Sequence, residues 1–256
     1  MPHVANCGRI IYNKTMEYFC ITDIGLVRDK NQDSYIAVFN SYGDFLVLVA
    51  DGIGGGKAGE VASGETIKYF EDNFKESGPF DCCEDVINYM LYHVAAANRH
   101  VYELSEKYDE YDGMGTTLTG ILMTKNGNVS INCGDSRVYG FIDDMSVRLT
   151  TDHTLVNQML EKGQITYEES INHPKKHYLV KAIGIFPVCT PDVHKVKDMD
   201  YYLVCSDGLH AYVSDEEITK IVIDPDRSVA QKTEDLKDLA LLKGGFDNIT
   251  IVLVKR

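Results

Sequence analysis

The sequence predicts an α+β fold in layers, with sheets inside and helices outside. Strand-like runs gather in two blocks, and the helical stretches are grouped between and around them. Turn signals such as "NSYGD" and "KNGN" join several neighbouring strands directly, which implies antiparallel pairing. No repeat, low-complexity tract or Pro/Gly/Ser linker divides the 256 residues, so one domain is expected.

The elements follow in order. Tyr18 to Thr22, Ser34 to Phe39 and Phe45 to Ala50 are short apolar or alternating runs bounded by turn residues, as strands require. From Glu60 to Glu110 the pattern is helical, with Val86, Met90, Val94, Ala97, Val101 and Leu104 spaced by fours and threes along one stripe. Thr117 to Thr124, Val129 to Cys133 and Arg137 to Ile142 form the second block, extended by Tyr201 to Cys205 and closed by Ile249 to Val254. A second helical region is predicted from about Leu209 to Leu242, broken near "DPDRS". The first fifteen residues lie before the regular pattern begins at Met16 and read as an N-terminal extension, 1–15, to a domain spanning 16–256. They lack the apolar core of a signal peptide.

Composition excludes several functions. Acidic side chains outnumber basic ones 39 to 25, a formal charge of −14 that disfavours nucleic acid as a partner. No run approaches the ~20 apolar residues of a membrane span, so no membrane insertion is expected. The seven cysteines are scattered without a Cys-x-x-Cys pair, which suits a reduced, cytoplasmic setting.

The stretch "FLVLVADGIGGGKAGEVAS" runs an apolar strand into Asp51 and then into four glycines within five positions. Gly54, Gly56 and Gly59 match a dinucleotide-binding fingerprint, but such a unit returns to a parallel strand within ~30 residues, whereas a long helical region follows here. A glycine turn with an aspartate helix cap is the plainer reading. Asp51 is not isolated, however. Asp135 in "VSINCGDSR" and Asp207 in "YYLVCSDGL" also end apolar strands, and Asp33 and Asp247 precede strands. Carboxylates gathered at strand ends repel one another, and a divalent cation is the usual compensation. Oxygen donors without His or Cys select Mg²⁺ or Mn²⁺ over Zn²⁺. A glycine after Asp51 lets a backbone carbonyl, such as that of Gly52, approach an ion.

The motifs "VRDKNQD" (27–33), "DGIGGGKAGE" (51–60), "GTT" (115–117), "GDSR" (134–137), "DHT" (152–154), "SDGL" (206–209) and "DN" (247–248) resemble, in order, those of the bacterial-type metal-dependent serine/threonine protein phosphatases of type 2C. The resemblance runs from about Met16 to the C-terminus. It implies a four-layer α-β-β-α sandwich, two central and mostly antiparallel sheets flanked by helix pairs, with two Mn²⁺ or Mg²⁺ ions in a channel between the sheets. By that resemblance Asp51 bridges both ions, the Gly52 carbonyl binds one, and Asp207 and Asp247 bind the other. Asp135 with Asp207 resembles the site of a weaker third ion. Asp33 is similar to the carboxylate that orients the attacking water, and Arg28 to the arginine that holds the substrate phosphate. A metal pair ~3.5–4 Å apart lowers the pKa of bound water, giving hydroxide for direct in-line attack on phosphorus. The implied partners are phosphorylated proteins, including a cognate Ser/Thr kinase. The alternative is a catalytically weak phosphoprotein-binding or scaffold module of the same fold.

Some positions depart from the pattern. Ile53 stands where animal members carry a histidine suggested as general acid, so the leaving group's proton must come from water or another side chain. Gln32 stands where many members have glutamate. In the flap-like segment "HPKKHYLVKAIG", Lys176 and His177 replace the more usual arginine and asparagine. Cys205 reads as a core strand residue, since no arginine-capped phosphate loop surrounds it. His153 reads as the support of a helix start.

Overall fold

The computed structural model describes residues 7–12, 16–53 and 58–256; the glycine run at Gly54, Gly55 and Gly56, with Lys57, lies outside the described residues. Among the described residues, twelve strands build two sheets. The first sheet contains β1 (Cys7–Tyr12), β2 (Met16–Asp23), β8 (Arg137–Ile142), β9 (Met145–Arg148), β11 (Tyr201–Cys205) and β12 (Ile249–Lys255), in the order β1-β2-β12-β11-β8-β9. The second contains β3 (Asp33–Phe39), β4 (Phe45–Ile53), β6 (Leu118–Thr124), β7 (Gly127–Cys133) and β10 (Asp192–Val196), in the order β10-β7-β6-β4-β3, with the short β5 (Gly115–Thr116) paired on β4. Every pairing between these strands is antiparallel.

The two-residue side-chain period of a strand explains the four layers. In β4, Phe45, Val47 and Val49 enter the core between the sheets, while Leu46, Leu48 and Ala50 face outward into a separate core. That outer core is covered by α1 (Gly59–Phe74) and α2 (Cys83–Lys107). On the first sheet, Val252 and Val254 point inward, and Ile251 and Leu253 pack under α5 (Asp207–His210), α6 (Asp215–Val222) and α7 (Val229–Leu242). Strands buried on both faces read as continuous apolar runs, which is why "FLVLVA" and "ITIVLV" carry no polar alternation. The expected α+β sandwich is therefore the observed one.

The helical stripe from Val86 to Val101 is fully buried, as its spacing predicts. The single helical region expected over Glu60–Glu110 is two helices. The chain breaks at 75–82, where Gly78 takes φ +93° and Pro79 lacks an amide hydrogen. A capping box then opens α2, pairing Cys82 with Asp85. The later region breaks at "DPDRS" as expected and once more after His210, where Ser214 and Glu217 form the capping box of α6. Two short helices, α3 (Leu155–Glu161) and α4 (Tyr167–Ile171), lie in the segment between β9 and β10. Among the described residues no helix is long and apolar enough to cross a membrane.

Candidate active site

Antiparallel pairing sends five aspartates to one end of the sandwich. Asp33 begins β3 and pairs across the ladder with Asp51 near the end of β4. Asp135 follows β7, Asp207 follows β11, and Asp247 precedes β12, the strand paired with β11. A cleft of about 420 Å³ opens there, lined by Arg28, Asp51, Gly52, Asp135, Asp207 and Asp247, together with Gln32, Ile53, Thr117, His177, Tyr212 and Asn248. Asp33 stands behind this wall, buried, accepting a hydrogen bond from Ser206 Oγ at 2.7 Å. All seven residues singled out from the sequence thus lie in or directly behind one cleft.

Local chemistry fixes each part. The backbone amide of Asp51 donates to Thr117 Oγ1 at 2.9 Å, and Thr116 Oγ1 donates to the Asp51 carbonyl at 2.9 Å. Thr117 Oγ1 also meets Ser136 Oγ at 2.9 Å, joining the "GTT" and "GDSR" turns. Arg137 forms a two-pronged pair with Asp152, at 3.0 and 2.7 Å, which ties "GDSR" to "DHT". His210 Nε2 donates to the Asp135 carbonyl at 3.0 Å; burial drives this imidazole's pKa down to about 3, so it is a neutral donor. His153 stands one residue before Thr154, the cap of α3, but its Nδ1 accepts the Gly134 amide, so its side chain fastens the "GDSR" turn and not the helix start expected of it.

Asn248 is the residue whose role the sequence left unread. Its Oδ1 accepts the Gln32 amide at 2.8 Å, and its Nδ2 donates to the carbonyls of Ile24 and Lys30 at 2.9 Å each. One buried side chain therefore shapes the loop that carries Arg28. Arg28, half exposed, donates from Nη2 to Asp247 Oδ2 at 2.7 Å. Gly52 has a tighter reason to be bare than ion access alone. A β-carbon there would meet the Gly59 carbonyl oxygen at 2.3 Å and the Gln32 carbonyl oxygen at 2.6 Å. Tyr212 carries no motif signal and reaches the cleft only through the fold, whereas His177 comes to it from the flap-like segment. Cys205 is buried under the α5–α7 layer, as a core residue.

The electrostatics are those of crowded, dehydrated carboxylates. Burial, then Asp33 and Asp207, holds Asp51 well above the usual carboxylate range. Burial, then Asp207, does the same to Asp135. Burial and Asp247 push Asp207 up to about 6. Burial raises Asp33 to about 7 against the hydrogen bonds from Thr250 and Ser206. Asp33 Oδ1 and Asp207 Oδ1 are buried with no hydrogen-bond partner among the described residues. Unpaired buried anions of this kind fit hard divalent cations, and an all-oxygen donor set fits Mg²⁺ or Mn²⁺. Among the described residues no three acidic, His or Cys side chains close a ready-made cage by themselves. Asp51, Asp135, Asp207 and Asp247 line the same cleft instead.

Comparison with known proteins agrees with this architecture. Residues 27–240 match the family model described as Protein phosphatase 2C. The serine/threonine phosphatase stp of Listeria welshimeri is 35% identical over 237 residues, covering 92% of this chain and 94% of that protein. Protein phosphatase PhpP of Streptococcus pneumoniae is 35% identical over 241 residues, covering 93% and 97%. Among solved structures, the serine/threonine phosphatase of S. agalactiae superposes with a TM-score of 0.87 at 36% identity, covering 94% of this chain and 99% of that one. Serine/threonine phosphatase Stp1 from Staphylococcus aureus superposes with a TM-score of 0.89 at 32% identity, covering 97% and 98%. With its motifs in order, its aspartates gathered at one end of a double sheet, and relatives aligned over nearly their whole length, the chain belongs to the protein phosphatase 2C family of serine/threonine phosphatases.

Proposed function

We propose that this phosphatase hydrolyses phosphoserine and phosphothreonine in proteins by direct in-line attack of water, with divalent cations as resident cofactors. The observation that carries the reading is the convergence of Asp51, Asp135, Asp207 and Asp247 on one cleft, with a buried Asp207 oxygen that has no hydrogen-bond partner among the described residues. Asp51, the Gly52 carbonyl, Asp207 and Asp247 would hold two Mn²⁺ or Mg²⁺ ions, and Asp135 with Asp207 a weaker third. When bound, these ions supply an activated water and charge neutralisation.

The remaining work falls to the chain's own groups. Arg28 presents its guanidinium at the cleft wall and binds the phosphoryl oxygens, where charge spreads in the loose transition state. Its bond to Asp247 aims it before substrate arrives. Asp33 is held by Ser206 through one oxygen, which leaves the other to orient the attacking water and take its proton. Ile53 has no proton to give, so the leaving serine or threonine oxygen is protonated by solvent or by another cleft residue. The catalytic unit is assigned to 16–256, with β1 of the preceding segment added at the sheet edge. A cytoplasmic setting and a Ser/Thr kinase among the substrates complete the proposal.

The test is release of p-nitrophenol from p-nitrophenyl phosphate, and of phosphate from a phosphothreonine peptide, with Mn²⁺, Mg²⁺ or chelator, repeated on Asp207→Asn. Turnover that requires the metal and is lost in the variant supports the reading. A folded protein that binds the phosphopeptide but turns over neither substrate with either metal points to a binding module instead.

A further inference from the structure

Two cysteines that the phosphatase chemistry does not use meet behind the cleft. Cys133 ends β7, two residues before Asp135. Cys189 lies in the chain that enters β10, whose pairing with β7 begins at Asp192 opposite Asn132 and draws the two segments together. Their Sγ atoms stand 2.6 Å apart, and both residues are buried, at 0% and 8% exposure. The same joint is already fastened by weaker bonds. His153 accepts the Gly134 amide at Nδ1 and meets Asp192 at 3.1 Å, and Lys181 reaches Asp192 at 2.7 Å.

We propose that Cys133 and Cys189 form a reversible thiol–disulfide site, closed by hydrogen peroxide and reopened by a small thiol. An S–S bond is ~2.05 Å long, so closure asks the two sulfurs to move by only about half an ångström. Cys189 is the less covered of the two and meets the oxidant first. Hydrogen bonding from the Cys133 thiol, and then the nearby Lys181, favour its thiolate. That thiolate attacks one peroxide oxygen, the O–O bond breaks, and the departing hydroxide takes up a proton as water, leaving a sulfenic acid on Cys189. Cys133 then attacks Cys189 Sγ; the S–S bond forms, the S–O bond breaks, and a second water leaves with the thiol proton. Two thiols and one hydrogen peroxide thus give one disulfide and two waters. In reverse, two small thiols are oxidised to their own disulfide. Because the resolving thiol is in contact, closure outruns further oxidation of the sulfenic acid. The bond would tie the Asp135 turn covalently to the chain returning from the cleft mouth, a link independent of the catalytic reading.

The experiment treats the full chain with equimolar hydrogen peroxide, alkylates free thiols, and maps peptides by mass spectrometry without reduction. The expected result is a Cys133–Cys189 linked peptide, about 2 Da below the sum of its parts, that disappears with dithiothreitol. The thermal midpoint rises on oxidation, returns on reduction, and does not respond in Cys189→Ser. Cys82→Ser, an exposed cysteine elsewhere, keeps both signals. Finding Cys133 and Cys189 both alkylated after peroxide, or Cys189 carried on to sulfinic acid, overturns the proposal. The linkage map on the unaltered chain decides the matter even where a serine variant folds poorly.

Discussion

Replacing Asn248 by alanine removes three hydrogen bonds, to the Gln32 amide and to the carbonyls of Ile24 and Lys30. Each is worth ~1 kcal/mol net, so the variant should lose about 3 kcal/mol, which for a chain of this size lowers the thermal midpoint by about 6–12 °C. Activity should fall with it, because the loop those bonds shape carries Arg28. Asn248→Asp separates bonding from packing. It keeps the volume and the Gln32 bond but sets a carboxylate oxygen against two carbonyls, so it should be at least as unstable as the alanine variant. Thermal unfolding in chelator and p-nitrophenyl phosphate turnover in Mn²⁺ read the two effects separately. A midpoint within ~2 °C of the parent for alanine, or a stable aspartate variant, would refute the reasoning.

Further outcomes follow from the same geometry. Asp207→Asn should cut metal-dependent turnover at least ~100-fold, as loss of a metal ligand does, yet raise the thermal midpoint in chelator by relieving repulsion with Asp247; a lower midpoint in chelator would count against the crowding argument. Asp33 is raised to about 7 and Asp207 to about 6, both above their unfolded values, so their contribution to stability is full below about pH 4 and is lost as pH rises through 6 to 7. The midpoint of the metal-free chain should therefore fall between pH 5 and 8 more steeply than that of Asp33→Asn; equal slopes would remove Asp33 as a cause. Gly52→Ala should destabilise by ~1–3 kcal/mol or more, since both atoms it meets are backbone and cannot yield. Arg28→Ala should lower kcat/KM by ~10- to 100-fold while changing stability by less than ~1 kcal/mol, because its ion pair is half solvated.

The fold was legible wherever burial imposed a pattern. Phe45 to Ala50 and Ile249 to Val254 are closed on both faces, and α2 buries an unbroken stripe, so their residue choice is dictated. Among the elements not read from the sequence, β1, β9 and β10 lie at sheet edges, and in β9 and β10 "MSVR" and "DVHKV" meet solvent and need no apolar alternation. The split between α1 and α2 was marked by Gly78 and Pro79 in "KESGPFDC" and was passed over beside the long apolar stripe of α2. In the cleft, aspartates beside glycines advertise themselves. Asn248 does not, because its work is to bind backbone groups of Ile24, Lys30 and Gln32 that lie more than two hundred residues away. Tyr212 enters the cleft by folding alone.

The position of β12 has a consequence in time. The last of the described strands in chain order is not at an edge; it lies between β2 and β11 in the middle of its sheet. Until it is inserted, β2 lacks its partner on that side, Asp247 and Asn248 are missing from the cleft, and the loop of Arg28 lacks the three bonds from Asn248. A nascent chain on the ribosome, or one cut after Gly245, therefore has no competent site, and dephosphorylation begins only once β12 has been made and inserted.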